Sequence, residues 1–242
     1  MENRNCYLGV EQNEEILNRI LAWMEENGVP AYNEETGKGL VRHVLIRFGF
    51  MTKEIMVCLV VNGKKLPAEE KLIKSLTELE GMTSITLSVN RERTNVIMGK
   101  EIRCLWGQGY ITDYIGTVKY RISPLSFYQV NPVQTKNLYE KAISLAGLTG
   151  NERVMDAYCG IGTIGLIASR DAREVISVEL NPDAVRDAVT NAKTKSNQKR
   201  LLLPERRRRL HGLHGRKRRK KPTSSSWTRQ EPAVMKPFCP LS

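Results

Sequence analysis

Between Val154 and Leu166 the chain reads Val-Met-Asp-Ala-Tyr-Cys-Gly-Ile-Gly-Thr-Ile-Gly-Leu, an acid and three glycines set between an apolar run and a helical pattern. A second apolar run at 175–178 ends at Glu179. This order predicts strand, glycine-rich turn, helix and a second strand with an acidic tip, which holds an adenosine-containing cofactor at the carboxyl ends of a parallel sheet. Gly160, Gly162 and Gly165 also fit the dinucleotide fingerprint, in which a helix N-terminus receives a pyrophosphate. The acids separate the two readings. A carboxylate at Asp156 repels a pyrophosphate but suits the cationic methionine end of S-adenosylmethionine, and Glu179 can accept hydrogen bonds from a ribose diol. The expected cofactor is S-adenosylmethionine, with a nicotinamide dinucleotide as the alternative. A turn that merely joined strand to helix would leave both carboxylates unexplained.

The elements that must position these groups fall into two units. Ile16, Leu17, Ile20, Leu21, Trp23 and Met24 stripe a helix over 12–27 that Gly28 stops. Apolar strands are expected at Leu40–Ile46 and Ile55–Val61, followed by a turn at Asn62-Gly63, and Leu72, Ile73, Leu76 and Leu79 give a second helix face. Five short strands follow, at Ile85–Val89, Thr94–Met98, Ile102–Trp106, Tyr110–Ile115 and Val118–Ile122. Residues 1–124 thus read as a small α+β domain. From 125 to 198 the pattern is α/β: Asn131-Pro132 and Asn181-Pro182-Asp183 are helix-start signals on either side of the glycine loop. The second of these helices carries Ala184, Val185, Ala188, Val189 and Ala192 on one face, as a crossover helix on a sheet does.

Charge is distributed unevenly. Residues 199–242 hold 14 of the 38 lysines and arginines and 2 of the 26 acids, so the whole excess of +12 lies in that tail and the body is neutral. A neutral body argues against nucleic-acid binding by the surface as a whole, although a local patch can exist within it. The five cysteines, at 6, 58, 104, 159 and 239, form no CxxC pair and no even framework, so neither zinc nor a disulfide scaffold is expected. No run approaches a membrane span, and the first residues lack the order of a signal peptide, so a reducing cytoplasm is the expected compartment.

Three stretches together resemble the bacterial RNA (uracil-5-)-methyltransferases that modify 23S ribosomal RNA or transfer RNA: Ser126-Phe-Tyr-Gln-Val-Asn-Pro132, Leu148 through Thr163, and Val178-Glu-Leu-Asn-Pro-Asp183. The resemblance covers residues 1 to about 198. It implies a Rossmann-like, S-adenosylmethionine-dependent methyltransferase domain, incomplete here, behind the small α+β domain. It also implies an RNA partner and a product methylated at uridine C5. The glutamine of the family's aromatic–Gln–Val–Asn motif contacts the methionine part of the donor, residues of the glycine loop line its site, and the acid after the next strand holds its ribose. The implied donor-binding set is Gln129, Asp156, Tyr158, Gly160, Gly162, Thr163 and Glu179. Family members carry a [4Fe-4S] cluster held by four cysteines, of which Cys6 resembles the last; one thiolate cannot hold such a cluster, so Cys6 is expected to be vestigial. The family's Asp-Pro-Pro-Arg loop, its nucleophilic cysteine and its later glutamate base have no counterpart in the 242 residues. Cys159 sits in the donor loop, where the family's cysteine has no nucleophilic role. The polypeptide is therefore expected to bind donor weakly at best and to transfer no methyl group.

The basic tail reads as RNA-binding, as a solvated extension, or as out of frame. The genetic code favours the third. Shifted back by one base, the junction of Trp227 with Thr228 must encode Asp and that of Met235 with Lys236 must encode Glu. Permitted synonymous codons then let Thr223–Ser242 begin Asp-Val-Val-Phe-Met-Asp-Pro-Pro-Arg, a strand running into the missing loop. Residues 199–242 are accordingly expected to add nothing to the sheet. Three functional classes follow from the whole sequence: a fragment of an RNA uracil-5-methyltransferase, a non-enzymatic RNA-binding protein acting through its tail, and an NAD-dependent oxidoreductase.

Overall fold

The computed structural model describes residues 9–194 together with the backbone of 201–202 and 233–235. Two compact units divide between Val133 and Gln134, nine residues beyond the boundary expected from sequence. The segment after residue 124 stays with the first unit because its side chains are held there. Ser126 Oγ accepts from Ser123 N at 2.8 Å, and the Tyr128 hydroxyl donates to Asp113 Oδ2 at 3.2 Å.

The first unit begins with α1 (Gln12–Glu26) and builds a four-stranded sheet from β1 (Val41–Phe48), β2 (Ile55–Val61), β3 (Met82–Val89) and β4 (Glu101–Gly107), in that spatial order. β1 and β4 run antiparallel to their neighbours, whereas β2 and β3 are parallel and joined through α2 (Glu69–Thr77). Every residue of β2 is buried, which is what an uninterrupted apolar run does at the centre of a sheet covered on both faces. On one face Ile55, Val57, Leu59 and Val61 pack with Ile16, Ile20 and Trp23 of α1 and with Leu72 and Leu76 of α2. The strand expected at Thr94–Met98 does not form. Asn90, 4% exposed, donates its amide to the carbonyls of Val96 and Ile97, at 2.7 and 3.0 Å, and so takes up backbone acceptors that a ladder would need.

A two-stranded antiparallel ribbon, β5 (Ile111–Ile115) and β6 (Val118–Ile122), completes this unit. Its inward face, Ile111, Asp113, Ile115, Val118, Tyr120 and Ile122, is buried. Asp113 is fully buried and accepts from Phe50 N at 3.0 Å, Met51 N at 2.8 Å and the Tyr128 hydroxyl, so one carboxylate fixes the β1–β2 turn and the segment that leads out of the unit.

The second unit contains α3 (Pro132–Ala146, but for its first two residues), β7 (Arg153–Asp156), α4 (Thr163–Ala168), β8 (Glu174–Ser177) and α5 (Pro182–Lys193). β7 and β8 are parallel, and Asp156 lies opposite Ser177. Two short strands extend the pair, β9 (Leu201–Leu202) beside β8 and β10 (Ala233–Met235) beside β7, both parallel, giving the order β10-β7-β8-β9. These five residues correct the expectation that 199–242 adds nothing to the sheet. They are uncharged stretches, and the open edges of β7 and β8 offer unpaired N–H and C=O groups to any such segment. The basic clusters of the tail lie outside the described residues. The order is that of a doubly wound sheet: the chain begins at β7, steps outward through β8 to β9, and crosses to the other side of β7, making the end of β7 the switch point at which such sheets bind ligands.

Asp113→Ala should leave two part-buried backbone N–H groups and a buried hydroxyl without their acceptor. Urea titration should show a loss of about 3 kcal/mol or more, since each unsatisfied donor costs roughly 1–3 kcal/mol; a loss under about 1 kcal/mol would show that Asp113 does not hold the turn.

Candidate donor-binding site

The apolar residues before Asp156 form β7, and the three glycines let the chain turn from that strand directly into α4. Gly160 and Gly162 have φ of 54° and 87°, in the left-handed region that a side chain disfavours. Gly165 is needed for space: a Cβ there would lie 2.9 Å from both Asp156 Oδ2 and Ser177 Oγ, so α4 could not sit this close to the strand ends with alanine. α5 supports the loop from beneath. Asn181 caps it by accepting from Asp183 N at 2.9 Å, with Pro182 at the first helical position, and the buried Asn191 donates to Ile161 O at 3.1 Å.

Both acids stand at strand ends as the sequence predicts, but their settings differ. Asp156 is 7% exposed and lies under the loop, where its Oδ2 accepts from Gly165 N at 3.1 Å. Burial pushes its pKa from 3.8 up to about 6, against hydrogen bonds from the Gly165 and Tyr158 backbone and with a smaller push from the Glu179 charge. Glu179 follows β8 by two residues and is half-buried. Its Oε2 accepts from Gly160 N at 3.0 Å, and its Oε1 accepts from Leu180 N at 2.7 Å and Asn181 N at 2.8 Å. A carboxylate has about four acceptor positions, so Glu179 ties the loop to the start of α5 and keeps one on Oε2 for a ligand hydroxyl.

The rest of the expected set is divided. Tyr158 is 73% exposed on the loop, and Thr163, the first residue of α4, has its hydroxyl 3.4 Å from that of Tyr139. Gln129 belongs to the first unit, where it borders a cavity of about 300 Å³ with Arg47, Phe48 and Tyr128. Cys159 is 2% exposed, and burial, then the charges of Asp156 and Glu179, pushes its pKa up to about 12, so it remains a protonated thiol at neutral pH. Cys6 lies outside the described residues. Among the described residues no group of three or more His, Cys, Asp or Glu could hold a metal ion, and no helix is long and apolar enough to cross a membrane. Sequence reasoning missed Asn191. Its only signal was an amide on the apolar face of a helix, which marks a buried polar group needing a partner.

Two neighbouring carboxylates, one raised by burial and the other partly satisfied, make the strand ends at the loop electronegative, which fits a ligand with a cationic centre and a diol better than one with a pyrophosphate. No family model matches the chain. An RNA methyltransferase of unassigned specificity from Clostridium tetani is 46% identical over 191 residues, 78% of this chain and 42% of that protein. One from Halalkalibacterium halodurans is 45% identical over 189 residues, 78% of this chain and 41% of the relative. The chain therefore spans about two-fifths of the relatives it matches. Among solved structures, the Pyrococcus abyssi tRNA (uracil-54, C5)-methyltransferase in complex with S-adenosyl-L-homocysteine superposes with a TM-score of 0.69 at 26% identity, covering 85% of this chain and 50% of that one. The fold is accordingly the Rossmann-like fold of S-adenosylmethionine-dependent methyltransferases.

Because Asp156 holds its proton more tightly folded than unfolded, it should favour the folded state below pH 3.8 and lose that advantage as pH rises to about 6. Unfolding free energy should therefore fall across this window and then level, with an amplitude on the order of 3 kcal/mol. Asp156→Asn, which keeps an acceptor for Gly165 N, should flatten the profile in urea titrations between pH 4 and pH 7; equal slopes in the two proteins would contradict the burial argument.

Proposed function

We propose, for a chain homologous over four-fifths of its length to bacterial RNA methyltransferases, that it carries the donor-binding half of an enzyme that methylates C5 of uridine in ribosomal or transfer RNA. The observation that carries this reading is the pair of carboxylates at the ends of two adjacent parallel strands, joined through the glycine loop. S-Adenosylmethionine supplies a methyl group on a positively charged sulfur. Glu179 Oε2 would accept a ribose hydroxyl with its remaining lone pair, while Asp156, ionised near neutral pH, would stabilise the cationic end of the donor from beneath the loop. Tyr158, Gly160, Gly162 and Thr163 would line the site. The S-adenosyl-L-homocysteine bound in the Pyrococcus protein and the names of the relatives support a methyl donor as the ligand.

Uracil C5 becomes nucleophilic only after a thiolate adds to C6. Burial holds Cys58 and Cys159 as thiols, with pKa values pushed up to about 11 and about 12, so neither serves that step. In the resembling family the nucleophile follows the Asp-Pro-Pro-Arg loop, beyond the stretch matched here. We place the whole enzyme in the cytoplasm with its RNA, and we read the tail after about residue 196 as out of frame. Sequencing the coding DNA tests it: single-base insertions or deletions near codon 196 and within 216–221 are expected, and a clean frame shared with close relatives would overturn it.

Donor binding tests the central part. The chain should bind S-adenosylmethionine weakly, with affinity rising between pH 5 and pH 7 as Asp156, near 6, loses its proton, and Glu179→Ala should weaken binding about tenfold, the worth of one hydrogen bond to a charged acceptor. Preference for a nicotinamide dinucleotide in the same titration would favour the oxidoreductase. Restoring the frame through the downstream cysteine should yield 5-methyluridine in RNA; 5-methyluridine formed by the 242-residue polypeptide would contradict the assignment of roles.

A further inference from the structure

Arg47, near the end of β1, is part-buried and has no acid beside it among the described residues. Its hydrogen bonds there both come from Nη2, to the carbonyls of Pro124 at 3.5 Å and of Ser126, while its Nε is buried with no partner. Arg19 and Arg42 of the same unit instead pair with Glu15 and Glu34, at 2.8 and 3.1 Å. Burial lowers the pKa of Arg47. A charge that would support it, a Cys58 thiolate, is missing at neutral pH because burial pushes that thiol up to about 11. A guanidinium held away from water without a counter-charge is costly, and a bound anion removes the cost.

Arg47 borders the cavity of about 300 Å³ that belongs wholly to the first unit. Asn13 of α1 borders the same cavity, and its amide Oδ1 is buried with no donor. Two side chains at one cavity thus hold hydrogen-bonding capacity in reserve, one a charged donor and the other a neutral acceptor. Phe48 and Phe50 supply aromatic lining, and Phe50 is 41% exposed. The Lys53 ammonium lies 5.5 and 4.9 Å from the centres of those two rings and forms no ion pair among the described residues, so the aromatic side of the cavity carries a second cation. Ligand pockets run from about 300 to 1,000 Å³, so this one admits a monomer and not a helix or a duplex. An inorganic anion would use Arg47 and leave Asn13 and the rings idle; a neutral ring would do the reverse. A nucleotide serves all three, with a phosphate for the guanidinium, a base N–H for the amide oxygen and a flat base for the rings.

We propose that this cavity is a subsite for one unpaired nucleotide of the substrate RNA, with Arg47 as the ligand of its phosphate. The choice of RNA as the source of that nucleotide rests on the methyltransferase reading.

The test is a titration of the full 242-residue chain, labelled with nitrogen-15, with uridine 5′-monophosphate, and in parallel with uridine, inorganic phosphate and a uridine trinucleotide. The monophosphate should shift the backbone amides of 46–50 and 128–131 at concentrations where uridine and phosphate do not, and the trinucleotide should shift the same amides at lower concentration. Arg47→Gln should weaken this response about tenfold, the worth of a hydrogen bond to a charged group. Arg47→Lys, which keeps the charge and loses the planar fork, should weaken it less, about threefold. The map on the unaltered chain decides the matter even where a variant fails to fold. Shifts confined to 199–221, phosphate or uridine alone matching the monophosphate, a trinucleotide that binds no better than the monophosphate, or an Arg47→Gln chain with unchanged response and unchanged thermal midpoint would overturn the proposal. Displacement of the monophosphate from these amides by S-adenosylmethionine would also overturn it, by giving the cavity to the donor. The donor reading is scored separately at the amides of 160–163: a nucleotide response at 46–50 with no donor response at 160–163 would sink the donor assignment and leave the subsite standing, and the reverse pattern would do the opposite.

Discussion

A buried carboxylate governs the second unit. Asp156 sits under the glycine loop because the strand that carries it ends there, and it is tolerated because the loop returns a backbone N–H from Gly165. That bond brings α4 close enough to the strand ends that only glycine fits at position 165. Burial beneath the loop takes the carboxylate out of water and raises its pKa, against the pull of that bond. Glu179 completes the arrangement from the neighbouring strand by gathering the Gly160, Leu180 and Asn181 N–H groups onto one side chain. Loop, helix start and strand tip thus form one hydrogen-bonded assembly whose centre is negatively charged, and a cation placed there relieves a strain that the fold itself creates.

Sequence and structure agree where local signals are strong and redundant. The strand before Asp156, the helix from Thr163 and the Asn181-Pro182-Asp183 cap each combine a pattern with a stop or start residue, and all three lie where expected. The apolar run Ile55–Val61 also forms a fully buried central strand. Agreement fails where a side chain competes with the backbone. Thr94–Met98 has strand composition, yet the Asn90 amide captures its carbonyls from six and seven residues away. Burial was legible only in part: alternation identifies a strand, but nothing near Asp156 in the sequence reveals that the loop folds over its carboxylate instead of leaving it at the mouth.

The tail teaches a related lesson. Block charge argues that 199–242 cannot build alternating strand faces, but that argument does not reach the uncharged stretches at 201–202 and 233–235, which pair with the edges that β8 and β7 present. Parallel pairing needs only an extended backbone and an open edge. Those two strands give the sheet its switch point, and the functional geometry depends on strand order more than on strand length.

The central claim is that the loop following β7 receives a cationic methyl donor. The most direct measurement is the backbone amide spectrum of the protein labelled with nitrogen-15, titrated in parallel with S-adenosylmethionine and with oxidised nicotinamide dinucleotide. The account predicts that the amides of Gly160, Gly162 and Thr163 shift with the methyl donor and remain in place with the dinucleotide. Shifts in those amides with the dinucleotide, or donor-induced shifts that avoid the loop, would contradict it.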